Sequence, residues 1–112
     1  VNKMKLLTKG IEKRFKEVGR QENIEDPLVI AKFFNPTGAG TWYATEYDSK
    51  DKIFFGYVSI YGDHNDEWGS FSLAELEEFK GLFGLGIERD MYCGEANISD
   101  FDKRALINKE IA

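Results

Sequence analysis

The sequence predicts an α+β fold, an antiparallel meander of four to five strands flanked by an N-terminal, a middle and a C-terminal helix. Three observations carry that expectation. Leu6, Leu7, Ile11, Phe15 and Val18 recur at helical spacing. Three stretches rich in β-branched and aromatic residues, 28–34, 41–48 and 53–61, follow one another with turn residues between them. Ser72-Leu73-Ala74-Glu75 then has the form of a capping box at the head of a further apolar stripe.

In chain order, Thr8 is placed to cap the first helix and Gly19 to stop it, with Lys9, Lys13, Arg14 and Lys16 on its polar side. Residues 20–26 form a polar connector ended by Pro27, and 28–34 make a first strand, apolar on both faces except at Lys32. Asn35-Pro36-Thr37-Gly38-Ala39-Gly40 is hairpin chemistry leading into the central strand 41–48. Asp48-Ser49-Lys50-Asp51 makes the next turn, and in the strand that follows Gly56 suits the close approach of a bulky neighbour or another backbone. Trp68 to Phe71 form a short fourth strand or edge piece, Leu73, Leu76 and Phe79 or Lys80 line the middle helix, and Gly81 ends it. Residues 82–86 are a glycine-punctuated turn, 87–93 suit a last strand, and Ser99 opens a terminal helix carrying Phe101, Ala105, Leu106 and Ile111.

A chain of 112 residues, 42% hydrophobic and 14% aromatic, suits a single domain over 1–112 held by packing. Cys93 is the only cysteine, which removes any intrachain disulfide and favours a cytoplasmic setting. No apolar run approaches the roughly 20 residues of a membrane helix, and no signal peptide is evident. A first residue of Val rather than Met fits a chain that begins inside a longer reading frame or after processing. The formal charge of −5 argues against nucleic acid as a strong direct partner.

Candidate chemistry centres on Glu46. Unbroken alternation places it on the face of Trp42 and Ala44, where a carboxylate needs a partner or a shifted pKa. The expected hairpin register puts Ile30 opposite Glu46 and Lys32 diagonal to it, about 7 to 8 Å away at Cα. Glu46 is then either an acid or base in a cleft floored by Trp42 and Phe54 or half of an ion pair. Arg89, between Glu88 and Asp90, is expected to fork onto a carboxylate of the sheet or onto an anionic ligand. Glu46, Lys32, Arg89 and Asp90 are thus the catalytic candidates, with Trp42, Tyr43, Trp68 and Glu88 as candidate binding residues. The loop Asp63-His64-Asn65-Asp66-Glu67 lacks the framework of a metal site, so no metal and no cofactor are assigned. Glu46, Asp48 and Lys50 are spaced like the metal-binding strand of some nucleases, but Lys50 falls in the turn. The aromatic residues of the strands read as core, since few basic residues interleave them.

Leu6-Leu7-Thr8-Lys9, Ala31-Lys32-Phe33-Phe34, Thr41-Trp42-Tyr43-Ala44-Thr45-Glu46, Phe55-Gly56-Tyr57-Val58, Phe71 to Glu77 and Gly86-Ile87-Glu88-Arg89-Asp90 occur in this order. As a set they resemble an uncharacterised family of small proteins encoded on bacterial plasmids, phages and integrative elements. The resemblance implies an accessory protein of a mobile element and carries no assigned catalytic residues. Two functions follow as expectations. The first is an acidic binding protein whose partner is a host or element-encoded protein, such as a host defence complex that it inhibits. The alternative is a metal-dependent nuclease acting on single-stranded DNA through Glu46 and Glu88 or Asp90. The oligomeric state stays open.

Overall fold

Thr8 and Gly19 bound the first helix as their chemistry requires. In the computed structural model, which describes residues 5–60 and 66–111, the Thr8 hydroxyl accepts from the Ile11 N–H at 3.2 Å at the head of α1 (Lys9–Val18). Gly19, at a φ of 71°, turns the chain away and donates to the Phe15 carbonyl. The chain continues through β1 (Leu28–Val29), β2 (Ala31–Phe34), β3 (Thr41–Asp48), β4 (Ile53–Ser59) and β5 (Glu67–Ser72) to α2 (Leu73–Glu78). A 3-10 turn (Leu82–Gly84), β6 (Glu88–Arg89), β7 (Ala96–Asn97), α3 (Ile98–Phe101) and α4 (Arg104–Ile111) complete it. The main sheet is antiparallel with strand order β5-β4-β3-β2-β6, so the meander is as expected and β6 returns to pair beside β2.

Several elements differ from the expectation, each for a local reason. The first strand is divided at Ile30, because β1 pairs with β7 in a separate two-stranded sheet while the Ile30 N–H turns to the Ala44 carbonyl. The last strand contracts to β6, where the Asp90 carboxylate accepts the Tyr92 N–H and bends the chain out of the ladder. The terminal helix opens at Ile98, with Asn97 as its capping residue, and is interrupted at Asp102. Ser99 instead uses its N–H and hydroxyl to hold Asp26. Tyr61 and most of the acidic loop, 61–65, lie outside the described residues.

Helices cover both faces of the sheet. On the first face Phe33, Ala44, Phe54 and Phe71 pack with Leu6, Leu7, Phe15 of α1 and Leu76 of α2. Phe54 is the hub of this core, with the rings of Tyr47, Phe33, Phe71 and Phe15 at 4.7, 5.2, 5.5 and 5.8 Å. On the second face Val29 and Tyr57 pack with Ile98 and Ala105, flanked by Tyr43, Trp68, Phe101 and Leu106. Gly56 is where β3 and β4 come closest. A Cβ there would stand 1.8 Å from the Tyr43 carbonyl oxygen, so the backbone approach expected from the sequence is real and admits no side chain. Among the described residues no helix is long and apolar enough to cross a membrane.

Candidate functional site

The hairpin loop closes with the Asn35 N–H on the Gly40 carbonyl at 3.0 Å, which pairs Phe34 with Thr41 and Ala31 with Ala44. That register is one residue away from the one expected. A β-bulge adds a second change. Ala44 pairs with Gly56 and Glu46 with Phe55, leaving Thr45 as the extra residue. The alternation is therefore reset, and Glu46 lies on the face of Phe55 and Tyr57 rather than that of Trp42 and Ala44. Thr45, 1% exposed, donates its hydroxyl to the Phe55 carbonyl at 3.2 Å.

Glu46 does not pair with Lys32. Its Oε2 accepts the backbone N–H of Gln21 at 3.0 Å, and Oε1 faces the Arg20 Nε at 3.9 Å. Gln21 is buried and makes this a knot. Its side-chain amide donates to the Leu28 and Thr45 carbonyls at 2.8 Å and accepts from the Leu28 N–H at 2.7 Å. The Gln21 carbonyl in turn accepts from the Lys109 ammonium, which also reaches the Ile24 carbonyl and lies over the Trp68 ring. Burial pushes the Lys109 pKa down, against the opposing pull of Glu46 and Asp26.

Lys32, Arg89 and Asp90 gather elsewhere, in a recess of about 330 Å3 that also takes in Cys93 and Glu95. Lys32 bridges to Asp90 at 3.4 Å and lies 5.9 Å from the rings of Tyr43 and Phe101. Arg89, expected to fork onto a carboxylate, donates to the carbonyls of Lys5 and Leu6, so it fastens the segment ahead of α1 to β6. Burial and then Asp90 push the Cys93 thiol up, with Lys32 opposing. Glu88 sits opposite Phe34 at the sheet edge. Glu46 lines a different cleft of about 560 Å3 with Tyr47, Phe54, Phe55, Asp48 and Arg20. The structure thus brings together three of the four catalytic candidates and sets the fourth apart. Phe54 lines the Glu46 cleft as expected, whereas Trp42 packs against the first core.

Tyr43 and Trp68 serve the second core rather than an open stacking surface. The Trp68 indole donates to the Ala105 carbonyl at 2.8 Å, and the Tyr43 ring lies 5.2 Å from Phe101. Burial pushes the Tyr43 hydroxyl pKa up. Beside them lies a polar network that sequence reasoning missed. The Asp66 carboxylate accepts from the Ser59 hydroxyl at 2.8 Å and from Arg104 at 3.2 Å, and Arg104 also reaches Asp102 at 2.7 Å. The guanidinium holds the Asp102 carboxyl below its ordinary pKa, against the effect of burial. Asn108 donates to the Tyr57 hydroxyl at 2.8 Å and to the Asp66 carbonyl. Asp48, one member of the metal-like string, accepts the Lys50 N–H and closes the turn.

Internal contacts do not account for the side chains displayed by the 3-10 turn after α2. Phe83 is 94% exposed and holds a left-handed backbone at φ 60° and ψ 20°, a conformation costly for any residue with a Cβ. Leu82, Leu85 and Phe79 are exposed around it. The turn is nevertheless well tied. The Gly81 N–H donates to the Leu85 carbonyl at 2.7 Å, and the Leu82 N–H donates to the Thr37 hydroxyl of the hairpin loop at 3.2 Å. Immediately before it, Glu75, Glu77 and Glu78 of α2 are exposed. The sequence contained a signal for this knuckle, since Leu82-Phe83-Gly84-Leu85 is a turn made of large apolar residues where polar ones are usual.

A family described as Protein of unknown function (DUF2958) matches residues 6–112. The chain belongs to that family. The DUF2958 match spans the knot, the Lys32 recess and the knuckle, so all three lie within the family's extent. No curated protein and no solved structure matches the chain. The DUF2958 description assigns no chemistry.

Proposed function

We propose that this protein is a partner-binding protein of a mobile genetic element, and that it acts by protein–protein contact with a host protein such as a component of a defence complex. The observation that carries the reading is the exposed Leu82–Phe83 knuckle, fixed by the hairpin loop and adjoining the three acids of α2. An aromatic side chain presented in solvent from a fixed backbone suits an interface hot spot, because little backbone ordering entropy remains to be lost on binding. The acids beside them match a partner whose apolar pocket has a basic rim, as a nucleic-acid-binding protein would offer. The genetic setting rests on the family resemblance. The alternative, a metal-dependent nuclease using Glu46 with Glu88 or Asp90, has less support, because Glu46 and Asp90 line separate recesses.

The test is affinity purification of tagged protein from the bacterial host at low salt, with Phe83→Gly and a Glu75/Glu77/Glu78→Lys variant in parallel. The reading expects a stoichiometric host partner that is lost with Phe83→Gly and released as salt rises. Equal recovery by all three proteins, or recovery by none, would overturn it.

A further inference from the structure

We propose that the cleft beside Glu46 receives an arginine side chain of a partner polypeptide, and that Arg20 is its internal occupant in the free protein. This reading goes beyond the knuckle and does not depend on it. The cleft, about 560 Å3, is lined by the half-buried aromatic residues Tyr47 and Phe55 and by three carboxylates, Glu22, Glu46 and Asp48. Its own cations are Lys16 and Arg20, both on exposed side chains.

Arg20 already shows the geometry that a visiting guanidinium would adopt. It lies between two carboxylates, with Nη2 at 3.3 Å from Glu22 and Nε at 3.9 Å from Glu46. Both contacts exceed the roughly 2.7–2.9 Å of a well-formed charge-assisted bond, and the side chain is 78% exposed, so it is held loosely. Glu46 is the opposite case, with a side chain only 17% exposed and Oε2 committed to the Gln21 N–H. Its Oε1 therefore keeps a partly desolvated charge whose one ion-pair contact among the described residues is the distant Arg20. A planar guanidinium suits this site better than an ammonium, because it can bond two carboxylates at once and lay its face on an aromatic ring. An anion entering the same space would meet three carboxylates against two cations, both on exposed side chains.

Isothermal titration calorimetry with N-acetyl-Gly-Arg-Gly-amide, against the same peptide carrying citrulline, tests the assignment. The arginine peptide is expected to bind at least about tenfold more tightly than the citrulline one, the loss of one charge-assisted contact. Arg20→Ala is expected to tighten arginine binding several-fold by removing the competitor. Glu46→Gln is expected to weaken it about tenfold while retaining an acceptor for the Gln21 N–H. Glu22→Gln, at an exposed position, gives the same direction should Glu46→Gln fail to fold. No binding to either the wild type or Arg20→Ala overturns the proposal, and so does weaker binding by Arg20→Ala, because removal of a competing cation cannot weaken a guanidinium bound between the same carboxylates. Neither result bears on the knuckle, whose test uses Phe83.

Discussion

Glu46 and Phe83 are each placed against their polarity, an acid set in a packed junction and an aromatic ring set in water, yet the surrounding chain treats them in opposite ways. Around Glu46 the neighbours supply reasons. The bulge at Thr45 turns it, the Gln21 N–H occupies one oxygen, and Gln21 is bonded to β1, β3 and α4 in its turn. Around Phe83 the hydrogen bonds fix the backbone and leave the ring almost wholly in solvent. A misplaced residue whose contacts account for its position is held by the fold, whatever its remaining oxygen can bind, whereas one whose presentation is held in place and left uncovered points outward to a partner.

Gly56→Ala drives a Cβ into the Tyr43 carbonyl beside the bulge and is expected to cost about 3 kcal/mol or more, read as a lower midpoint in urea unfolding. Glu46→Ala leaves the Gln21 N–H unsatisfied and is expected to cost about 1–3 kcal/mol, with Glu46→Gln recovering most of it. If alanine were harmless there, the acid would lose its structural explanation and return as a catalytic candidate. Acidification probes the second polar network. The Asp102 pKa is depressed in the folded state by Arg104, so its contribution is present above the unfolded carboxylate value of about 3.9 and is lost as pH falls through the folded one. Asp102→Asn is expected to flatten that part of the stability–pH curve. The smallest effect is expected at Phe83. Phe83→Gly relieves a left-handed backbone and is expected to leave stability unchanged or raise it by about 1 kcal/mol, while abolishing partner capture. A large loss of stability would mean that the ring supports the fold after all.

What was legible in the sequence was local. Thr8, Gly19, Ser72 and the Asn35–Gly40 turn act over a few residues, and each does what its chemistry predicts. Gly56 was legible because glycine inside such a strand marks the close approach of a bulky neighbour or another backbone, and it is the backbone of β3 that approaches. Glu46 was identified as the awkward residue, but its partner was not, because a single bulge reverses every face assignment after it and Gln21 lies 25 residues away. Arg89 donates to carbonyls of the segment before α1, a long-range docking that no spacing rule encodes. The knuckle was read as punctuation, since turn chemistry tells how the chain bends and not which side chains it displays.

The small β1–β7 pairing has a consequence for how the chain reaches this structure. Leu28 pairs with Asn97, and the Ile98 N–H closes on the Pro27 carbonyl, so the strap that seats α3 and α4 joins residues some 70 positions apart. The hairpins of the meander need no such wait. During synthesis the sheet can form while Tyr43, Tyr57 and Trp68 still lack their covering helices, and that aromatic face stays open until the last segments leave the ribosome. Ribosome-bound chains halted before residue 96 should accordingly bind hydrophobic dyes and chaperones, and those halted well after the terminal helix has emerged should not.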